Sequence, residues 1–282
     1  MHEIRIDPLS GLRAIVATGE ATPADAPLLA AGAPAPPADA HPALFTALAA
    51  TGAHELIDNG PPDVVALADL TVQELQDAVE LWRERMRAHA GAAYVHVCVD
   101  EQPVRGAGSA PSTASTPPTR SRAQLYALDF VPAVVARERE RFSAHATRTM
   151  GSNLLEDLVQ EEVRRRERIV AIDDEAVLFC PYASSGPYAL TLAPRRRRER
   201  FEDDGPSGAA LLHDALSRLA RHFGASPPLS LWVRTAPRDA ERFCWRIEIL
   251  PRRAPAAGLQ AGAGLQRNDV APERAAAHLR AA

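Results

Sequence analysis

Two stretches of the chain, residues 54–99 and 186–235, repeat one order of elements: strand, helix, strand. No other feature narrows the fold as much. In the first stretch Thr71 and Glu74 form a Thr-x-x-Glu capping box. Leu75, Val79, Trp82 and Met86 fall on one helical face, Gly91 stops the helix, and the strand AYVHVCV follows. In the second, Ser207 is the predicted cap, Leu212, Leu216, Leu219 and Phe223 recur at the same spacing, and Gly224 ends the helix before LSLWVRT. A helix with one apolar face buries it on a neighbouring strand pair, and two such units can join their sheets edge to edge over one core. The expected product is an α+β fold, an antiparallel sheet flanked by helices, with two halves related by a pseudo-twofold axis.

The halves divide as 1–122 and 123–282. Residues 21–42 are rich in Pro and Ala and read as an irregular connection, and residues 101–122, rich in Pro, Ser, Thr and Gly, read as a mobile loop. A strand-like QLYALDFV follows, then a charged helical stretch from about Val134 to Arg168, whose opposite charges recur at helical neighbour spacings as on a solvated face. The apolar fraction of 46% and mean hydropathy of −0.18 are those of a soluble globular protein. A net charge of −4 supplies no general basic surface, which argues against a nucleic-acid partner. The start of the chain lacks a signal-peptide pattern and no apolar run is long enough to span a bilayer, so the expectation is a cytoplasmic protein without a membrane partner. Cys98, Cys180 and Cys244 are odd in number and widely spaced, which suggests buried thiols and neither a disulfide framework nor a cysteine zinc site.

Six segments, in order, carry a resemblance: IRIDPLSGLRAIVATGEA, GAHELIDNGPPDVVALADLTVQEL, LYALDFVP, YASSGPYALTLAPRRRRERFEDD, CWRIEILPR and AGAGLQRNDVAPERAAAHLR. Together they resemble the galactose-1-phosphate uridylyltransferases of the histidine-triad superfamily, which are built from two fused triad-like halves. The resemblance implies a histidine nucleophile in a Gly-Ser-x-x-His-Pro-His stretch that takes the uridylyl group from UDP-glucose and passes it to a hexose 1-phosphate. Here that stretch falls on the segment containing Ser109 and Ser112, and the nucleophile falls on Ala114 or, one residue earlier, on Thr113. The chain has no histidine between His96 and His145, so the nucleophile is missing in either register. A serine nucleophile at Ser112 lacks a base-activated context.

The metal sites implied by the resemblance are eroded too. The first Cys-x-x-Cys falls in the Pro/Ala-rich region, a ligand histidine falls on Asp63, and a second cysteine pair falls on Asn153 and Glu156. Zinc takes thiolate and imidazole ligands as a tetrahedral set, so no metal or other cofactor is expected. The family's His-Trp-His-Ile-Glu-Ile becomes Cys244-Trp245-Arg246-Ile247-Glu248-Ile249. Arg246 either binds an anion where a histidine stood or pairs with Glu248 or a neighbouring acid. Cys244 reads as a buried apolar residue, with a nucleophile as the minority reading because Arg246 is adjacent. In the N-terminal segment Leu12 or Arg13, depending on one residue of register, occupies the position of the family's Arg-Trp, and Thr18-Gly19-Glu20 replaces Pro-Glu-Arg, which turns a positive phosphate contact negative. The run Arg195–Arg198 reads as a phosphate-binding cluster or a solvated surface. Gln266, Asn268 and Asp269 are weak candidates for sugar contacts.

The expectation is a uridylyltransferase-like pseudoenzyme binding a nucleotide, nucleotide sugar or sugar phosphate around Arg195, Arg196, Arg234, Arg246 and Glu248, with Asn268, Ser109 and Ser112 as further candidates. Its rivals are a transferase using another nucleophile and a subunit that binds a protein partner. The resemblance also implies a homodimer.

Overall fold

The computed structural model describes residues 2–6, 13–17, 47–49, 52–101, 120–203, 205–252, 262 and 268–282. Three short N-terminal strands, β1 (His2–Ile6), β2 (Arg13–Ala17) and β3 (Ala47–Ala49), form a small antiparallel sheet in the order β2-β1-β3. The main sheet has eight strands. Its N-terminal part comes from β4 (Gly52–Asp58), β5 (Tyr94–Glu101) and β6 (Arg122–Leu128). The rest comes from β7 (Ile169–Ile172), β8 (Ala176–Phe179), β9 (Leu190–Pro194), β10 (Leu229–Arg234) and β11 (Arg246–Pro251). They run in the order β4-β6-β5-β10-β11-β9-β8-β7, and every neighbouring pair is antiparallel.

This order contains the repeat. Reading outward from the β5·β10 seam gives β5-β6-β4 on one side and β10-β11-β9 on the other, so equivalent strands occupy equivalent places. The strands that flank each helix in sequence are not neighbours, however. A third strand, β6 or β11, is inserted between them, where the sequence suggested a direct pair. Because β6 pairs with β4 and β5, the first half of the sheet runs through Leu128, beyond the division at 122/123.

Helix α1 (Val72–Ala88) begins with the expected capping box: Thr71 Oγ1 accepts from Glu74 N at 3.3 Å and Glu74 Oε2 accepts from Thr71 N at 2.8 Å. Leu75, Val79, Trp82 and Met86 are fully buried. The helix ends at His89, before Gly91. Its counterpart α4 (Ala209–Phe223) buries Leu212, Leu216 and Leu219 in the same core and leaves Phe223 partly buried against it. Ser207 is not its cap residue. Gly208, in the left-handed region at φ 70°, holds that place, and Ser207 Oγ only accepts from Ala209 N at 3.3 Å. Gly224 closes α4 at φ 75°.

The charged stretch from Val134 to Arg168 is two helices, α2 (Ala133–Arg148) and α3 (Leu154–Arg165). Met150 and Gly151 take positive φ between them, and Asn153 Oδ1 caps α3 by accepting from Leu155 N and Glu156 N at 3.1 and 3.2 Å. Nor is the stretch solvated all round. Val135, Phe142, Ala146, Leu155 and Val159 are buried, and a second core gathers Phe142, Leu155, Val159, Phe179, Ala193 and Phe243. All five residues of β9 are buried, as befits a strand covered on both faces. The C-terminal helix α5 (Pro272–Ala281) docks through Ala275, Ala276 and Leu279, and its Glu273 pairs at 2.7 Å with Arg168, which also meets Glu162 at 3.0 Å. Among the described residues no helix is long and apolar enough to cross a membrane.

Candidate functional site

Alternation sorts the central strands into two faces. Val95, Val97 and Val99 of β5, Leu125 of β6, Leu231 and Val233 of β10, and Ile247 and Ile249 of β11 join the core with α1 and α4. The other phase leaves Tyr94, His96 and Cys98 of β5, Tyr126 of β6, Trp232 and Arg234 of β10, and Arg246 and Glu248 of β11 on the open face. The pairing sets Trp232 beside Cys98, His96 beside Tyr126 and Arg234 beside Arg246. Over this face lies a cavity of about 650 Å³, walled by Phe130, Pro132 and the first turn of α2. At one end Ser230 Oγ donates to Asp100 Oδ1 at 2.5 Å.

The other end is ionic. Glu138, one turn along α2 from Val134 and Val135, sits between two arginines. Its Oε1 is 3.0 Å from Arg246 Nη2 and 3.7 Å from Arg234 Nε, and Arg246 Nε donates to Glu248 Oε1 at 2.7 Å. Burial pulls the Arg246 pKa down, but Glu248 and Glu138 outweigh it and hold the group above its ordinary value. Arg246 is thus spoken for, which favours the ion-pair reading over a free anion site. Arg234 has the longer contact to Glu138, and its Nε has no hydrogen-bond partner among the described residues. The Tyr94 hydroxyl lies beside Arg234, and burial raises its pKa against the opposing pull of that guanidinium.

The neighbouring groups are held uncharged. Burial, assisted by Arg234, lowers His96 to about 4, so its imidazole is neutral at physiological pH. Burial, assisted by Asp100, pushes the Cys98 thiol up to about 12. Cys244 is buried outside the cavity in the second core, and burial raises it to about 11. A thiol so raised is almost wholly protonated at neutral pH, the opposite of what a nucleophile needs.

Of the residues singled out in the sequence, Arg234, Arg246 and Glu248 are brought together, and Glu138 joins them. Arg195 and Arg196 are exposed beyond the end of β9, where Arg195 donates to the Asp173 carbonyl at 3.1 Å. Asn268 is turned inward on its own loop, its Oδ1 accepting from Val270 N at 3.0 Å. Ser109, Ser112, Thr113 and Ala114 lie outside the described residues, as do Leu12, Gln266 and the Thr18-Gly19-Glu20 stretch. The positions where the resemblance implies metal ligands do not form a set that fits zinc. Asp63 is exposed on a turn, and Asn153 uses Oδ1 as a helix cap and Nδ2 to reach the Arg242 carbonyl at 2.7 Å. Among the described residues no three His, Cys, Asp or Glu side chains converge as a metal site would require.

Sequence reasoning missed Tyr94, His96, Tyr126, Trp232 and Glu138. The first four had a faint signal, since each occupies the polar phase of an alternating strand yet is aromatic or imidazole. Glu138 had none, standing 108 positions from the arginine it neutralises.

No protein-family model matches the chain. It is 28% identical over 261 residues to the galactose-1-phosphate uridylyltransferase of Haemophilus influenzae, covering 88% of this chain and 72% of that protein. It is likewise 28% identical over 304 residues to the enzyme of that name from Rattus norvegicus, covering 98% and 77%. Over most of its length the chain is thus similar to galactose-1-phosphate uridylyltransferases. A solved uridylyltransferase structure shares its fold, with TM-score 0.80 at 22% identity over 99% of this chain and 98% of that one. The α+β architecture described above is therefore that of a uridylyltransferase fold.

Proposed function

We propose that this protein binds a nucleotide, nucleotide sugar or other phosphorylated ligand over the open face of its sheet and does not run uridylyl transfer. One observation carries the reading: the 48 positions between His96 and His145 contain no histidine, and the family's nucleophile falls within them in either register. The α-phosphorus of a nucleotide sugar is attacked by a neutral imidazole in that reaction, and serine, threonine or alanine offers no comparable lone pair. A roomy cavity beside Arg234 supports binding without transfer. We further propose that no metal participates, in keeping with the donor sets at Asp63 and Asn153.

Calorimetry of the purified protein with UDP-glucose, ADP-glucose, UMP and hexose 1-phosphates checks this, with measurable heat expected for at least one. No heat from any of them would sink the reading. One observation favours a rival, an active transferase with a relocated nucleophile, because His96 presents a neutral imidazole to the cavity. Trapping with nucleotide labelled at the α-phosphorus decides between them. We expect no adduct, and a label that disappears in a His96→Gln variant would establish the rival.

A further inference from the structure

Where helix α4 meets the C-terminal helix α5, ring side chains from three parts of the chain close on one another. Tyr188, in the β8–β9 connection, has its hydroxyl 2.9 Å from His278 Nδ1 on α5. Its ring lies 4.5 Å, centroid to centroid, from His222 and 5.2 Å from Phe223, both at the end of α4. The His222 and His278 rings are themselves 5.6 Å apart and inclined by only 22°. This cluster lies outside the cavity of the open face, and the proposed function makes no use of it.

Tyr188 is buried, and its backbone sits at φ 59°, in the left-handed region that a bulky side chain avoids. Such a conformation lasts only while surrounding contacts over-determine it. Here those contacts are the two histidines and Phe223. The rest of the hold on α5 is modest. The helix buries Ala275, Ala276 and Leu279, and two arginines one turn apart on α4 cap its last carbonyls: Arg218 Nη1 donates to Leu279 O at 2.9 Å and Arg221 Nε to Ala282 O at 2.7 Å. A guanidinium stays charged throughout the physiological range, so these bonds do not respond to pH. Glu273 stays ionised well into acid, because Arg168 at 2.7 Å holds its carboxyl below the ordinary range.

The two imidazoles do respond. Apart from them, the titratable and charged groups on α4 are Asp214, Arg218, Arg221 and His213, which bonds to the Leu70 carbonyl. On α5 they are Glu273, Arg274 and Arg280, and beyond α5 Arg168 joins Glu273 to Glu162 with Glu167 beside it. The two helices thus carry four guanidiniums against two carboxylates, and both carboxylates are engaged, Asp214 by Arg218 at 2.7 Å. A first proton is tolerated. On His278 it reverses the bond with Tyr188, the ring N–H then donating to the hydroxyl oxygen, and on His222 it meets the negative end of the α4 dipole. A second proton places two cations on rings 5.6 Å apart in surroundings already positive. Undocked, both rings charge freely in water, so docking of α5 is lost as pH falls through the range where imidazole titrates.

We infer that Tyr188, His222 and His278 form an acid-released latch for α5: at neutral pH the stacked rings hold the helix against the sheet, and double protonation drives it off, with the Tyr188 backbone relaxing out of its left-handed conformation.

Cys180 reports the state of the latch. It is fully buried in the core that α5 completes with Ala275, Ala276 and Leu279, and Arg280 and Glu273 of that helix are among the charges acting on it. Cys244 is also buried, but in the second core, which contains no α5 residue. The test labels the full chain with dithiodipyridine, a thiol reagent that works in mild acid, at about pH 7.5 and about pH 5.5, on either side of imidazole titration. Peptide mass spectrometry follows the two cysteines separately. The ratio of Cys180 to Cys244 labelling rates is expected to rise about tenfold or more at the lower pH. In His222→Gln, which has no second proton to accept, the ratio should change less than about twofold between the two conditions. Hydrogen exchange on the unaltered protein decides the matter if that variant does not fold: α5 amides should exchange faster at the lower pH, after correction for intrinsic rates, while α1 does not change. A flat ratio, a rise that persists in folded His222→Gln, or exchange that accelerates equally in α1 and α5 overturns the latch.

Discussion

On the covered side of the sheet, α1 fills the core with Leu75, Val79, Trp82 and Met86 while α4 does so with Leu212, Leu216 and Leu219, and the strands beneath answer with Val95 and Val97 in one half and Leu231 and Val233 in the other. On the open side the same strands part company. Aligning AYVHVCV with LSLWVRT sets His96 against Trp232 and Cys98 against Arg234. The N-terminal strands line the cavity with Asp100 as their one charged group, and the C-terminal strands line it with Arg234, which pairs with Glu138 beside Arg246 and Glu248. The difference teaches where the repeat is enforced. A shared core fixes volume and polarity at every position facing it, because each misfit is felt by both halves. Positions facing the cavity answer only to what occupies it, so the two halves could specialise there without loosening the fold.

The shared core is open to the most severe test. Trp82→Ala removes a fully buried ring whose Nε1 donates to Asn59 Oδ1 at 2.9 Å, and should cost about 3–5 kcal/mol. Leu219→Ala, its counterpart on α4, should cost about 2–5 kcal/mol. Urea denaturation should show one cooperative transition moving in both variants. Two resolved transitions, each sensitive to only one substitution, would mean that the halves do not share a core.

Next in size is the asymmetry of the open face. Glu138→Ala leaves two largely buried guanidiniums without their common carboxylate and should destabilise by about 2–4 kcal/mol, in the range of a broken buried ion pair. A double-mutant cycle with Arg246→Ala should return a coupling of about 1–3 kcal/mol that survives added salt, as only shielded pairs do. Coupling that vanishes in high salt would make the cluster an ordinary surface network.

The sequence made these two faces legible to different depths. The helices could be read because their signals are local: Thr71 and Glu74 are three residues apart, and the apolar stripes recur every three or four. The alternation of β5 and β10 could be read for the same reason. What could not be read depends on contacts between distant parts of the chain. The insertion of β6 between β4 and β5 is set by sheet pairing, not by anything within LYALDFVP. The break after Arg148 hid because Met150, an ordinary helix former, takes a positive φ there. The cavity hid because Cys98 and Trp232 are 134 positions apart and meet only across the seam. The run from Arg195 left a phosphate cluster and a solvated surface both open in the sequence, because exposure at a strand end is set by the fold around it; Arg195 and Arg196 are exposed.

Strand β5 itself sets the two faces against each other in their response to pH. His96 faces the cavity and titrates at about 4, against an ordinary value of 6.5, because burial disfavours its cation. Between those values the unfolded chain binds the proton and the folded one does not, so this group removes stability as pH falls from about 6.5 to about 4. Glu101 ends the strand on the covered side, accepting from Leu67 N at 2.6 Å and Ser121 Oγ at 3.0 Å, and burial raises it from 4.5 to about 7. Here the folded state holds the proton that the unfolded state lacks, so stability is gained as pH falls from about 7 to about 4.5. The two slopes oppose each other over nearly the same window. Denaturation midpoints should therefore change little between pH 6.5 and 4.5 on account of this strand. Relative to the unaltered protein, His96→Gln should tilt the profile toward greater stability in acid, and Glu101→Gln should tilt it the other way. Equal tilts of the same sign would refute the assignment.

The mildest test returns to the repeat at the point where its halves differ on the covered side. Helix α1 starts from a complete capping box, so Thr71→Ala discards an acceptor for Glu74 N and loosens the reciprocal bond to Thr71 N, a loss of about 1 kcal/mol. Helix α4 starts from Gly208, whose N donates to Glu175 Oε2 at 3.0 Å, so a carboxylate from the β7–β8 hairpin takes on part of the work that a local cap does for α1. Ser207→Ala should then cost only about 0.3 kcal/mol, far below the usual value for a serine cap, and Glu175→Ala should cost more than Ser207→Ala. Thermal melts of the three variants rank these effects. If Ser207→Ala proved the most damaging, α4 would be capped locally after all, and the two helices would match in their first turns as closely as they do in their buried faces.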